Sequence, residues 1–295
     1  MTSVKGLDVK SIYSASSSWW EHVPVAHWLV ANIKPSTIVE LGTHYGVSFF
    51  AFCEAAQQYN LDTFVYAIDT WKGDTQAGLY GEEVYQKVKT HQTQYFRQRS
   101  EMIRSTFDNA SEQFGECSID MLHIDGLHSY DAVLNDYNKW NLKVKEGGTI
   151  LFHDWNVHEE GFGVWKFWSE LKLSGEYQCI EISNGYGLGI ATKTKNIPTW
   201  HDELKKVLAI LKVKGEVLAN LQEEKEKVKK IESKNEILNK HAKNLETIIE
   251  KKENIIRQQE TYINEKTKSK IYQLAKRIGH KIKWIINLSN TKRTN

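Results

Sequence analysis

Between Thr37 and Thr192 short apolar runs alternate with stretches of helical periodicity, and this alternation constrains the fold more than any other feature. Strand, helix and strand in succession return each strand in the same direction, which builds a parallel sheet with helices on its faces. The predicted strands are Thr37–Leu41, Thr63–Ile68, Glu101–Ser105, Ile119–Ile124 and Thr149–Phe152. Two more, Tyr177–Ile182 and Leu188–Thr192, flank a turn containing Asn184-Gly185, a dipeptide suited to a tight antiparallel hairpin. The expected architecture is α/β: a mostly parallel sheet ended by a hairpin. A polar lead and a helix from about Trp19 to Ile33, closed before Pro35, come first.

The last third has a different grammar. Pro24, Pro35 and Pro198 are the three prolines, so nothing beyond Pro198 breaks a helix. With position a at Val207, the a-positions are Val207, Lys214, Leu221, Val228, Asn235, Ala242, Ile249, Ile256 and Ile263. The d-positions are Ile210, Val217, Glu224, Ile231, Leu238, Leu245, Lys252 and Gln259. Twelve of these seventeen are apolar, enough to predict a coiled coil and therefore a homo-oligomer, because one helix cannot bury such a seam. Asn235 at an a-position favours two parallel strands. A lone charged helix lying on the domain is the alternative. The expected divisions are a domain over 1–196, the coiled coil over 197–265 and a basic amphipathic tail over 266–295.

Charge follows the same divisions. The chain carries net +2, yet residues 266–295 hold nine Lys or Arg and no acid, which leaves 1–265 at net −7. In that tail Ile271, Leu274, Ile278, Ile282 and Ile285 fall at helical spacing among Lys276, Arg277, Lys281 and Lys283. An apolar stripe in a purely basic setting suits an anionic bilayer surface or an acidic protein partner, a glycosyltransferase among them. No nucleic-acid partner is expected. Cys53, Cys117 and Cys179 are odd in number and far apart, which fits a reducing compartment rather than a disulfide framework or zinc site. The opening MTSVKGLDVK has no apolar core of a secretory signal, and no run is long enough to span a bilayer. The expected location is the cytoplasm, including the inner face of the membrane.

Four stretches carry chemistry. In Ile38-Val39-Glu40-Leu41-Gly42-Thr43-His44-Tyr45-Gly46 a buried strand ends in an acid and enters a glycine turn at a helix start. Gly42 and Gly46 allow the backbone to pass close to a ligand, although a plain strand–helix turn explains them as well. His44 stands where a dinucleotide-binding GxGxxG has its middle glycine, which counts against an NAD-dependent dehydrogenase. The strand Val65 to Ile68 ends in Asp69, an acid placed to take both hydroxyls of a ribose or to cap a helix. Asp125 and His128 follow the fourth strand; His153 and Asp154 follow the fifth. Open α/β sheets bind ligands at these strand ends. Carboxylates gathered there suit a hard divalent cation, and an imidazole beside them suits proton removal from a hydroxyl; helix capping is the bland alternative.

The stretches VELGTHYGVSFFAFC, IDTWKGDTQAGLYGEE, SIDMLHIDGLHSYDAVLNDYNKW and GGTILFHDWNV, with Trp19-Trp20-Glu21-His22, resemble one family over about residues 16–192. It comprises the S-adenosylmethionine-dependent methyltransferases of class I found alone or fused to glycosyltransferases in bacterial polysaccharide biosynthesis. The resemblance implies a Rossmann-like sheet and cofactor contacts from Glu40, Gly42, Gly46 and Asp69, with Ser105 and Thr106 near the adenine. Asp125-x-x-His128 and the later Asp154 are similar to magnesium-dependent sugar O-methyltransferases, where aspartates hold Mg2+ and the histidine is the base. Here His153-Asp154 replaces two adjacent acids, so one metal carboxylate is missing. The implied activity is O-methylation of a sugar hydroxyl in a glycan acceptor, catalysed with His128 and Asp125. A coiled-coil scaffold with a ligand-binding but inactive domain is the rival. The loop Trp71–Gly81 is expected to act as a lid or acceptor-binding loop.

Overall fold

The computed structural model describes residues 5–74 and 78–291, with side chains up to residue 285. The chain forms two compact units, Met1–Glu226 and Lys227–Asn295.

The first unit is built on one seven-stranded sheet. Its strands are β1 (Thr37–Leu41), β2 (Phe64–Asp69), β5 (Ser100–Arg104), β6 (Ile119–Ile124), β7 (Val144–His153), β8 (Gln178–Ile182) and β9 (Leu188–Thr192). The order is β5-β2-β1-β6-β7-β9-β8, with β9 antiparallel to both β7 and β8 and all other pairs parallel. This is the expected mostly parallel Rossmann-like sheet, ended by an antiparallel hairpin. The order reverses between β1 and β6, which opens a crevice at their C-terminal ends. Two-residue strands β3 (Gly73–Asp74) and β4 (Gly78–Leu79) form a separate hairpin inside the expected lid loop, whose residues 75–77 lie outside the described residues.

Apolar helices cover both faces. On one side α1 (Val23–Ile33) and α2 (Val47–Gln58) bury Trp28, Leu29, Phe49, Phe50 and Phe52. On the other, α5 (Tyr130–Trp140) and α6 (Val164–Ser174) bury Val133, Trp140, Phe167 and Trp168 against Leu41, Leu122 and Phe152. A turn of 3-10 helix at Ser18–His22 precedes α1, Ser17 capping it by accepting from Trp19 N.

Helix α7 (Thr199–Thr291) begins inside the first unit. Leu204 and Leu211 are fully buried in the core on the α1–α2 side, with Trp200, Leu208 and Leu218 packed beside them. The compact unit therefore continues to Glu226, beyond the boundary at 196 that composition suggests. The physical reason is a second apolar stripe, Leu204, Leu208, Leu211, Leu218, which the heptad pattern masks. The second unit is the remainder of α7. Among the described residues no helix is long and apolar enough to cross a membrane.

Candidate active site

A cavity of about 950 Å³ opens at the C-terminal ends of β1, β2, β6 and β7. Ligand pockets run to about 300–1,000 Å³, so this one has room for a cofactor with an acceptor beside it. Its walls hold Gly42–Ser48, Asp69, Thr106, Phe107, Asp125–His128, His153 and Asp154. They also include the 3-10 turn with Trp19 and Trp20, and Ala219, Asn220, Gln222, Glu223 and Glu226 from the first part of α7.

The glycine loop is shaped by the chain itself. Gly42 has φ +89°, and a Cβ there would lie 2.0 Å from the Asp125 carbonyl oxygen. The demand for glycine thus comes first from the β6 loop crossing over β1, and only then from any ligand. Gly46, φ +80°, is the residue before α2 and lines the cavity. His44, Asp154 and Tyr186 also line it with positive φ, a conformation that costs non-glycine residues and gathers at functional sites.

Asp69 is more engaged than a ribose-binding acid need be. Thr43 N and His44 N donate to its Oδ2 at 3.0 and 2.9 Å, and Trp71 N donates to Oδ1 at 2.6 Å. Tyr80 Oη adds a fourth bond to Oδ2 at 3.2 Å, its ring against His44. The carboxylate fastens the glycine loop to the end of β2, and Tyr80 to both. Thr106 and Phe107 line the same end of the cavity. Thr106 is occupied as the N-cap of α4 (Phe107–Ala110), accepting from Asn109 N, and Ser105 lies behind it outside the wall.

Glu40 is not at the cavity. It is fully buried and sits opposite His123 in the β1–β6 register. His123 donates from Nδ1 to Glu40 Oε1 at 3.0 Å and accepts from Trp19 Nε1 at 3.3 Å. As the strand's penultimate residue, Glu40 points to the covered face of the sheet, which corrects the expectation of direct cofactor contact. It acts instead through Trp19, a wall of the cavity.

Asp125, His128, His153 and Asp154 do converge. His128 Nε2 is 2.9 Å from Asp154 Oδ2 and 3.6 Å from Asp125 Oδ1. His153 Nδ1 is 3.1 Å from Asp154 Oδ2 and 3.3 Å from Asp125 Oδ1. Burial opposes charge on both imidazoles, but the two carboxylates outweigh it, raising His128 to about 9 and His153 to about 10. The imidazoles in turn outweigh the burial of Asp125 and Asp154 and hold both carboxyls down. Phe162 stacks on the His128 ring at 5.1 Å.

Asp125, His128 and Asp154 bring one ligand atom each within 4.8 Å of one another, the geometry of a cation site. The donor chemistry fits Mg2+ poorly. Magnesium demands oxygen in a near-octahedral set, whereas two imidazoles here contribute nitrogen and already neutralise both carboxylates. No chemical step below runs through a metal.

The 3-10 turn, unforeseen as part of the site, is held from two sides. His22 Nε2 donates to Gly185 O at 2.9 Å, and Asn184 Nδ2 donates to Glu21 Oε2 at 2.9 Å. Burial, helped by repulsion from His153, pushes the His22 imidazole down to about 3, so it is neutral. On the other side, a Cβ on Gly215 of α7 would meet Glu21 O at 2.0 Å.

Residues 39–155, which run from β1 through the Asp125–Asp154 cluster, match a family model described as a methyltransferase domain. A curated relative from Sinorhizobium fredii, the uncharacterized protein y4gI, is 43% identical over 176 residues. That match covers 60% of this chain and 19% of the relative, so the chain spans about a fifth of the relative's length. Among solved structures, a putative caffeoyl-CoA O-methyltransferase from Staphylococcus aureus is similar at 17% identity and TM-score 0.47, over 58% of this chain and 82% of that one. An O-methyltransferase from Streptomyces achromogenes involved in tomaymycin synthesis, solved with SAM, is similar at 14% identity and TM-score 0.46. It spans 61% of this chain and 82% of the neighbour.

Proposed function

We infer that the methyltransferase domain transfers the methyl group of S-adenosylmethionine to an uncharged hydroxyl, that of a sugar residue in glycan or polysaccharide biosynthesis. One observation carries this reading: a single cavity joins the glycine loop and Asp69 to an imidazole backed by two carboxylates.

The cofactor supplies a methyl group already activated on a sulfonium, so the protein's tasks are alignment and proton removal. In the transfer the acceptor oxygen gains the methyl carbon, the sulfonium bond breaks, and the hydroxyl proton is lost. Asp154 and Asp125, 2.9 and 3.6 Å from His128 Nε2, orient the imidazole that receives that proton. Asp125 and Asp154 stabilise the imidazolium that forms. The raised basicity of His128 suits a weakly acidic alcohol.

The cavity wall also speaks to the acceptor's charge. Among its described residues are eight carboxylates, from Glu21 and Asp69 to Glu223 and Glu226, and no Lys or Arg. A phosphorylated or coenzyme A-linked acceptor would meet walls with an excess of acids, whereas a neutral sugar finds carboxylate acceptors for its hydroxyls. Trp19, Trp20, Tyr186 and Phe162 offer apolar faces for a pyranose ring.

Calorimetry with S-adenosylhomocysteine tests the cofactor, and transfer of labelled methyl to a panel of neutral glycosides and their phosphates tests the acceptor. Binding and label on neutral glycosides are expected, with the rate unchanged by EDTA. Tight NAD binding without a response to S-adenosylhomocysteine would refute the assignment. Loss of activity in EDTA would show that the acidic pair holds a metal after all.

A further inference from the structure

We propose that α7 pairs with the α7 of a second copy of this chain as a parallel two-stranded coiled coil, and that its seam starts inside the catalytic unit. The argument begins with two apolar stripes on one helix. Leu204, Leu211 and Leu218 occupy e-positions and Leu208, Gly215 and Gln222 occupy b-positions; these face the first unit, with Leu204, Leu211, Gly215 and Gln222 buried. Of the a and d residues here, Val207 packs partly on the core, and the others lie on a different face. Ile210, Val217 and Leu221 are 49–60% exposed although the same stretch of helix is docked. The docked stripe ends at Gln222, four residues before the compact unit ends at Glu226.

From Val228 to Ile263 the a/d face holds most of the apolar residues, joined at g by Ile248, Ile255 and Tyr262. Val228, Ile231, Leu238, Leu245, Ile249, Ile256 and Ile263 are all more than half exposed, which a soluble helix does not sustain over this length without a partner. β-Branched residues at a (Val228, Ile249, Ile256, Ile263) with leucines at d (Leu238, Leu245) are the combination that favours two strands. Asn235, at a single a-position, pairs best with itself across a parallel dimer.

The flanking charges identify the partner as another copy. The e-positions from 232 read Glu232, Asn239, Glu246, Glu253 and Glu260; the preceding g-positions read Lys227, Lys234, His241, Ile248 and Ile255. In a parallel pair each g faces the e of the next heptad on the other strand. Lys227 then meets Glu232, and His241 meets Glu246. In an antiparallel pair e faces e and g faces g, setting acid against acid and base against base. Two of the five g–e pairs thus match a basic side chain with an acid in the parallel orientation and none sets like charges together, which favours that orientation. Within the first unit, the cavity-lining Ala219, Gln222, Glu223 and Glu226 fall at f, b, c and f, away from a and d. A second helix on the seam leaves the cavity open.

The test uses the full chain. Sedimentation equilibrium at micromolar protein should give a dimer. Ile231→Lys with Leu238→Lys should shift it to monomer with unchanged binding of S-adenosylhomocysteine, since both side chains are exposed. In a Cys117→Ser background, Asn235→Cys should form an intermolecular disulfide under mild oxidation, because equivalent a-positions face each other only in a parallel, in-register pair. A monomeric wild type, a trimer or tetramer, or a dimer that does not cross-link at 235 would each overturn the proposal.

Discussion

His128 is clamped between two carboxylates, and its pH response follows from that. Asp125 and Asp154 overcome burial and keep the imidazole protonated up to about pH 9. A base works only when deprotonated, so kcat/KM should climb with pH through the neutral range and level off near 9. Asp154→Asn removes one of the two stabilising charges and should move that rise to lower pH. His128→Ala should lower turnover roughly a hundredfold while leaving S-adenosylhomocysteine affinity intact, as expected for loss of a general base. A flat pH profile in the wild type would remove His128 from that role. Tyr80 gives a second residue-scale expectation. Its hydroxyl holds Asp69 Oδ2, so Tyr80→Phe frees that oxygen at a cost of one bond worth about 1 kcal/mol. Calorimetry should then show S-adenosylhomocysteine binding several-fold more tightly; weaker binding would mean that Tyr80 itself contacts the cofactor.

At the scale of elements, Gly215 separates propensity from packing. In a free helix, replacing glycine by alanine stabilises by about 0.5–1 kcal/mol. Here the added Cβ would press on the Glu21 carbonyl at 2.0 Å, with both partners fixed in the backbone. Gly215→Ala should therefore lower the melting temperature, by an overpacking cost of about 1–3 kcal/mol, and reduce activity by shifting Trp19 and Trp20. A rise in melting temperature would show that α7 does not bear on the 3-10 turn. The strands were legible because their signal is local: Thr37–Leu41, Ile119–Ile124 and Leu188–Thr192 form where alternation and turn residues put them. Asp125, His128 and Asp154 were legible as residues at strand ends. Glu40 was not, because the face a strand residue takes depends on register, and its partner His123 is on another strand. The 3-10 turn and Gly215 were hidden for a similar reason: their roles exist only once chain segments nearly two hundred residues apart meet.

For the whole molecule the question is where the first compact unit ends. Proline and charge place the change of composition at residue 196, yet the core takes in Trp200, Leu204, Leu208 and Leu211. Two fully buried leucines at about 1.5–3 kcal/mol each amount to about 3–6 kcal/mol, a large share of the ~5–15 kcal/mol that holds a domain together. A chain ending at Asn196 would expose that groove and also lose the Gly215 contact and the Gln222 bond from Ser14 Oγ at 2.8 Å. A chain ending at Glu226 keeps all of these. The shorter form should melt well below the longer one, aggregate more readily and bind S-adenosylhomocysteine weakly. The longer form should match the full chain in melting and binding while dissociating more easily, since the seam from Val228 to Ile263 is gone. Equal melting temperatures for the two truncations would show that the first turns of α7 only rest on the first unit instead of completing it.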